Sequence, residues 1–261
     1  MKDGIHTKFI LTPIFEILKE CLNATKGIGD GIGSYPLCEY IMQTTFLKMT
    51  GASEQKLKCI LWELATNDFE FRYEFLKNTN DYGECSSIKA KKKVFNDLAK
   101  EITELSSESD ILKNLFDANV KKTIKTKATK EICDLLEDSV IIKWQEKKFS
   151  FFKRKYDSFF KEGSFCNYSN NNNKNNNENE NKNNLGLIEQ SLNFESIVFN
   201  HRNRCAHNLM SYQTNLPRLF VLVDEDYDYQ NYFFRFSILV LLDEIFIKMY
   251  NTYLNLLEKH T

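Results

Sequence analysis

The chain has 261 residues, of which 42% are hydrophobic and 27% are charged, and its formal net charge is -1. This apolar share supports a folded core and excludes a disordered protein. The near-neutral charge excludes an overall polycation, so any contact with nucleic acid must come from local basic patches. The longest apolar run, Phe236 to Leu242, is far shorter than the roughly 18 residues that a membrane span needs, so neither a span nor a signal peptide is expected.

Only three prolines and nine glycines interrupt the sequence, and apolar residues recur at a spacing of three to four. This pattern predicts about eight helices and an all-α fold. Ser53 is the expected N-cap of a helix that begins within "GASEQKL". The other predicted helices of the N-terminal part are residues 8–23, a helix after Pro36, 87–105, 109–118, a lysine-rich helix through 136, and 139–161.

An asparagine-rich tract, residues 167–184, follows these helices. Its composition cannot bury apolar surface, so it is predicted to be a disordered loop. We interpret it as an insertion in a single domain of residues 1–261, with a linker between two domains as the alternative. The unit after it, residues 185–261, is predicted to contain a helix at 187–199, a turn at Asn215 to Pro217 and a helix at 228–257. The best strand candidate is "RLFVLVDED", residues 218–226.

Seven cysteines are scattered along the chain without a C-x-x-C pair, which indicates reduced thiols, mostly in the core, and a cytoplasmic protein. No metal site or cofactor is predicted. The acidic pairs, such as Asp243-Glu244, lack a histidine at metal-ligand spacing. The stretch "GIGDGIGS" lacks the Lys-Ser/Thr of a phosphate-binding loop and is interpreted as a connection between helices.

The stretch "HRNRCAH", residues 201–207, holds two of the four histidines and two of the six arginines. These side chains suit the cleavage of RNA without a metal. An arginine can hold a phosphate while negative charge builds up, and a histidine can take or return a proton near neutral pH. Arg202 and His207 are the predicted catalytic residues, and Asn203 is predicted to orient the imidazole because residues four apart share a helix face.

Two neighbours of this pair are predicted to assist it. Arg204 is spaced to face His207 and to bind phosphate, whereas His201 is either a helper or a plain surface residue. The alternative for the whole motif is structural: Arg202 would pair with an acid such as Glu195, and His207 would be an ordinary partly buried residue.

The run "KKFSFFKRK", residues 147–155, is the basic segment most suited to RNA. Lys147, Lys153 and Arg154 are predicted substrate-binding residues that follow the RNA backbone, with phenylalanines that could stack on bases. The alternative is that these lysines are ordinary solvated charges and that Phe149 and Phe152 form a core stripe. The same two interpretations apply to the lysine runs at residues 89–93 and 121–130.

The motif "RNRCAH" resembles the R-polar-x3-H signature of HEPN domains, which are all-α modules that include many RNA-cutting toxins and phage-defence nucleases. The resemblance covers residues 187–257 and implies a HEPN-like helical bundle to which the N-terminal helices are additional. It implies catalytic roles for Arg202 and His207, a modulating role for Asn203, and a homodimer with a composite active site. Leu209 stands where one subfamily, paired with nucleotidyltransferase antitoxins, has a tyrosine, so that arrangement is not expected.

The sequence therefore predicts a HEPN-type endoribonuclease that leaves a 2′,3′-cyclic phosphate and acts as a toxin or antiviral defence effector. RNA is the expected substrate, and a neutralising or activating protein is an expected partner. One alternative is a non-catalytic helical module of the same fold that binds RNA, a nucleotide or a protein. Another is a purely structural interaction protein.

Overall fold

The computed structural model describes residues 4–29, 31–108, 110–137, 139–169, 184–207 and 227–260. These residues are almost entirely helical, which confirms the all-α class. The α-helices in chain order are α1 (Thr7–Leu11), α2 (Phe15–Thr25), α3 (Ser34–Asn67), α4 (Phe69–Lys77), α5 (Ile88–Leu105), α6 (Ile111–Leu115), α7 (Ala118–Thr126), α8 (Ile132–Leu136), α9 (Val140–Phe159), α10 (Asn200–His207) and α11 (Tyr232–His260).

Short polar side chains begin several of these helices. Asp68 accepts a hydrogen bond from Phe71 N at 2.6 Å, Ser87 from Ala90 N at 3.2 Å, and Asp117 from Val120 N at 2.7 Å. Asn231 accepts from Phe233 N at 2.9 Å at the start of α11. Each bond satisfies a backbone donor that has no partner within its own helix, so these residues fix where α4, α5, α7 and α11 begin.

The predicted helices for α5, α9 and α11 are confirmed to within a few residues, whereas the predicted start at Ser53 is wrong. Helix α3 runs without interruption from Ser34 to Asn67, and Ser53 is buried in its interior. Phe46 and Met49 before Gly51, and Leu57 after it, are all buried. Tertiary packing on both sides of the glycine therefore outweighs the cost of a glycine inside a helix, which is about 1 kcal/mol.

Three other predicted helices differ in detail. The helix expected at residues 8–23 is two helices, α1 and α2, separated at Pro13. Of the expected 109–118, only α6 is helical before α7 begins at Ala118. The lysine-rich helix contains a π-helical segment, Lys127–Glu131, between α7 and α8.

The helix predicted at residues 187–199 is wrong in its first half. Two short strands, β1 (Phe165–Ser169) and β2 (Asn184–Ile188), pair antiparallel with Phe165 opposite Ile188. A 3-10 turn and a π-helical segment, Glu195–Phe199, then lead into α10. The ends of the asparagine-rich tract thus belong to a hairpin. Residues 170–183 of the tract, the predicted turn at Asn215 to Pro217 and the strand candidate at 218–226 lie outside the described residues.

Helix α11 is the centre of the packing. It contacts α3, α5 and α9, and the same core contains buried residues from before and after the asparagine-rich tract. A buried ion pair joins α3 to α11, with 2.6 Å between Lys56 Nζ and Asp243 Oδ1, and Ile14 N donates to the other carboxylate oxygen at 2.8 Å. All seven cysteines are free thiols and six are buried, as predicted. No described helix has the length and apolar character needed to cross a membrane.

Candidate functional site

Helix α10 carries the motif, and two neighbouring elements hold it in place. The preceding π-helical segment buries Ile197 and Val198 in the core. Arg235 of α11 is only 4% exposed, and its Nε donates to Ile197 O at 2.8 Å. Helix α10 also contacts α3. The start of α10 is therefore fixed against α3 and α11 by apolar burial and by one buried hydrogen bond from an arginine.

His201 lies on the face of α10 that points into the protein. It is 8% exposed, and its ring centroid lies 5.2 Å from that of Phe46 and 5.3 Å from that of Tyr232. Its Nε2 lies 3.4 Å from the Sγ of buried Cys205. Burial, followed by the charges of Arg235, Arg204 and Lys148, lowers the pKa of His201 well below its usual value. His201 is therefore a neutral core residue, and the alternative of a plain surface residue is wrong.

Arg204 points to His201 rather than into an open cleft. Its Nη2 lies 3.3 Å from His201 Nδ1, and its Nε is buried without a hydrogen-bond partner among the described residues. Burial lowers the pKa of Arg204 below its usual value. The contact that the structure gives Arg204 is thus with the histidine three residues before it, and its predicted phosphate contact stays a prediction.

Arg202 lies on a different face of α10 and forms an ion pair with Glu54 of α3. The Nη2–Oε2 distance is 3.0 Å, and the two side chains are 28% and 12% exposed. Arg202 Nη1 also donates to Asn203 Oδ1 at 3.2 Å. The structural alternative for the motif predicts a pair between Arg202 and an acid such as Glu195. The structure shows such a pair, but the acid is Glu54. The Arg202 side chain stays partly exposed while the carboxylate and the amide fix the direction of its guanidinium.

Lys91 of α5 completes the surroundings of Arg202. It lines a narrow cleft together with Glu54, Ser86 and Arg202, and its Nζ donates to Cys85 O at 2.7 Å. Burial lowers the pKa of Lys91 to about 8, the Glu54 charge raises it and the Arg202 charge lowers it. Glu54 thus forms an ion pair with Arg202 and also acts electrostatically on Lys91. Lys91 belongs to one of the predicted RNA-binding runs, but it is buried.

His207 is the last residue of α10. Its backbone lies one helical turn beyond Asn203, as the spacing of four predicts. The side chain of His207 lies outside the described part of the chain, so its predicted catalytic role stays a prediction.

The predicted substrate-binding residues of α9 lie together, apart from Arg202. Lys147, Lys153 and Arg154 line an open cleft of about 880 Å³ together with Lys148 and Phe151, and we call this surface the basic cleft. Lys153 pairs with Glu137 and lies over the ring of Phe149. The charge of Lys148 is also one of those that lower the pKa of His201. The predicted core positions of Phe149 and Phe152 are confirmed, since both rings are buried.

The lysine run at residues 121–130 is largely engaged within the protein. Lys125 pairs with Asp157 at 3.0 Å and Lys127 with Glu244 at 2.8 Å, while Lys121 donates to Asn167 Oδ1 at 3.2 Å. These contacts support the solvated-charge interpretation for this run more than an RNA-binding role.

Sequence reasoning missed the residues that surround the motif. Glu54, Lys91, Tyr232 and Arg235 come from α3, α5 and α11, far from the motif in the chain. Only Arg235 carries a signal in the sequence, because it is the single arginine within an otherwise apolar helical stretch. Glu54 is 148 residues from Arg202, and nothing in its local sequence distinguishes this buried acid from the exposed acids of the chain.

Comparisons with known proteins do not identify a family for this chain. No protein-family model matches the chain, and neither the curated proteins nor the solved structures give a match.

Proposed function

We propose that this protein is a HEPN-like endoribonuclease that cleaves RNA without a metal ion, with Arg202, Asn203 and His207 as its catalytic set. The proposal extends to a homodimer with a composite site and to a role as a toxin or antiviral defence effector, both of which rest on the resemblance of "RNRCAH" alone.

The observation that carries the proposal is the difference between the two faces of α10. Burial removes His201 from proton transfer, because its lowered pKa keeps the imidazole neutral near pH 7. Arg202 instead stays partly exposed, with its guanidinium held by Glu54 and Asn203. Position 207 follows Asn203 by one turn on the same stripe of the helix. The motif thus offers one oriented arginine and one remaining histidine, which is the set that the chemistry needs.

In the proposed reaction the ribose 2′-oxygen attacks the adjacent phosphorus. The 2′-O–P bond forms as the P–O5′ bond breaks, giving a 2′,3′-cyclic phosphate and a 5′-hydroxyl. His207 takes the 2′-hydroxyl proton, and the leaving 5′-oxygen receives a proton from a second imidazole, supplied by the other copy of the motif, or from water. Arg202 stabilises the charge on the phosphoryl oxygens. The basic cleft of α9 would hold the RNA backbone on either side of the cleaved bond.

A second candidate function is a non-catalytic module that binds RNA. The Glu54–Arg202 pair favours it, since a guanidinium already neutralised at 3.0 Å has less charge to offer a phosphate. In that case the basic cleft would bind RNA and no bond would break.

Cleavage of a labelled RNA oligonucleotide and of total RNA by the full chain, in EDTA, tests the proposal. We expect Arg202→Ala and His207→Ala each to lower the cleavage rate at least about a hundredfold, the range for losing a transition-state donor or a general base. His6→Ala is the matched control, because His6 lies at the start of α1, and it should cut at the wild-type rate. Products should end in 2′,3′-cyclic phosphates by mass spectrometry.

Several results would reject the catalytic proposal. They are RNA left intact by an excess of wild type, dependence on an added divalent ion, or full activity in His207→Ala. Intact RNA together with a gel shift that is lost on Lys147→Glu and Arg154→Glu would instead establish the binding module.

A further inference from the structure

A second cavity lies beside the basic cleft, between the end of α9 and the segment that leads into α10. Its volume is about 460 Å³, within the range of small-molecule sites. We call it the polar cavity, and the lining residues that matter here are Phe159, Lys161, Asn193, Ser196, Tyr229 and Gln230.

One wall of the polar cavity is aromatic. The rings of Phe159 and Tyr229 stack with centroids 5.0 Å apart and planes at 21°, and both side chains remain half-buried. Phe234 of α11 supports both rings from the core, with centroids 4.9 Å from Phe159 and 5.0 Å from Tyr229. A ring pair held from behind in this way is a rigid surface for a further planar group.

Polar side chains line the rest of the polar cavity. Gln230 Nε2 donates to Ser196 Oγ at 3.1 Å, which fixes the amide, and its Oε1 bonds to no other described residue. Asn193 accepts from Ser196 N at 3.4 Å and is exposed. A flat ring with hydrogen-bonding edges matches this combination of aromatic wall and fixed amides. An acyl chain would leave the amides without partners, at a cost in affinity.

The polar cavity and the basic cleft are neighbours. Asp228 lines the basic cleft and the next residue, Tyr229, lines the polar cavity. Phe151, which lines the basic cleft, contacts the Tyr229 ring with centroids 5.2 Å apart. A ligand that placed its ring in the polar cavity could thus extend its phosphate toward Lys148 and Arg154 of the basic cleft.

We propose that the polar cavity is a nucleobase-binding site, in which one base stacks on the Phe159–Tyr229 wall and meets Gln230 and Asn193 with its edge. This inference rests on the proposed function only for its choice of RNA as the source of the base. A free nucleotide presents the same chemistry, and the experiment separates the two sources.

The test uses the full chain and the fluorescent base 2-aminopurine, either within a single-stranded 2′-O-methyl RNA dodecamer, which has no 2′-hydroxyl to attack phosphorus, or as the free ribonucleoside monophosphate. We expect saturable quenching of its fluorescence, because stacking on an aromatic ring quenches this base. Saturation by the dodecamer alone identifies an RNA base as the ligand, and saturation by the monophosphate identifies a free nucleotide. Tyr229→Leu should weaken binding about tenfold, which is the loss of one stacked base, while Tyr229→Phe keeps wild-type affinity.

Tyr73→Leu is the matched control, since Tyr73 is an exposed tyrosine on α4, a helix that contributes no residue to the lining of the polar cavity. Circular dichroism must show that each variant is folded. If Tyr229→Leu does not fold, Gln230→Ala replaces it and should weaken binding severalfold. The inference is overturned if neither ligand quenches at millimolar concentration, or if folded Tyr229→Leu or Gln230→Ala binds as tightly as wild type. Quenching without any RNA cleavage would reject the ribonuclease proposal and support the base site. RNA cleavage together with unchanged binding in Tyr229→Leu and Gln230→Ala would support the ribonuclease proposal and reject the base site.

Discussion

The two faces of α10 carry similar side chains and differ in their surroundings. On the inner face, His201 and Arg204 lie against Tyr232 and Cys205, where burial lowers the pKa of both basic groups. On the other face, Arg202 keeps a carboxylate partner and part of its exposure, and Asn203 accepts one of its hydrogen bonds.

This difference shows that a cluster of arginines and histidines in a sequence need not act as one site. One arginine and one histidine face the interior, and Arg202 keeps a partly exposed position on another face. The burial of His201 distinguishes the inner face from the other face, because a buried neutral imidazole packs as an aromatic ring and does not exchange protons near pH 7.

The largest expected loss of stability comes from shortening a side chain on the inner face of α10. His201→Ala removes a ring that contacts Phe46 and Tyr232 and leaves a cavity. We expect the free energy of unfolding to fall by about 3 kcal/mol, near the low end for large-to-small changes in a core. Urea denaturation followed by circular dichroism measures it.

His6→Ala is again the control and should change the unfolding free energy by less than about 0.5 kcal/mol, because its ring is only half-buried. A cost below about 1 kcal/mol for His201→Ala would show that the inner face is looser than described and would reopen His201 as a functional residue.

The pH dependence of the unfolding free energy should also distinguish the inner face of α10 from the other face. His201 has a folded-state pKa below its unfolded value, so the unfolded chain binds the proton first as pH falls. Stability from the neutral ring is therefore complete above about pH 6.5 and is lost below it, by about 2 kcal/mol between pH 7 and pH 5.

His201→Phe keeps a ring in the core but cannot be protonated, so it lacks this loss. The quantity to measure is the difference in unfolding free energy between wild type and His201→Phe at the two pH values. In that difference the contributions of buried acids such as Asp243 and Glu101, whose pKa values are raised to about 6 and about 7, cancel. Parallel pH profiles for the two proteins would show that His201 is charged or exposed in the fold.

Local signals predicted those parts of the fold that local physics determines. Helices α5, α9 and α11 follow from their periodicity, and the predicted start of α5 at residue 87 matches the Ser87 cap. The continuity of α3 through Gly51 was not predictable, because it depends on core contacts made on both sides of the glycine. The β1–β2 hairpin was missed because its strands are short and reach into the asparagine-rich tract, whose composition indicates a loop.

The candidate site was predictable only as a list of residues. Which face of α10 points to the core was not predictable from the sequence, since residues 201 and 202 differ by about 100° around the helix and either could have faced the core. Nor could the sequence indicate Glu54 and Lys91, whose proximity to Arg202 results from the packing of α3 and α5.

The smallest expected effect on stability comes from a change at the partner of Arg202, on the other face of α10. Glu54→Gln keeps the shape of the side chain and removes the negative charge that pairs with Arg202 and raises the pKa of Lys91. Because the Arg202 side chain is 28% exposed, water replaces part of the lost interaction, and the unfolding free energy should fall by only about 1 kcal/mol. Gln55→Glu, at the next position of α3, is a charge-changing control and should have less effect. A loss above about 3 kcal/mol would mean that the Glu54–Arg202 pair holds the fold as the inner face does, and that Arg202 is a structural residue.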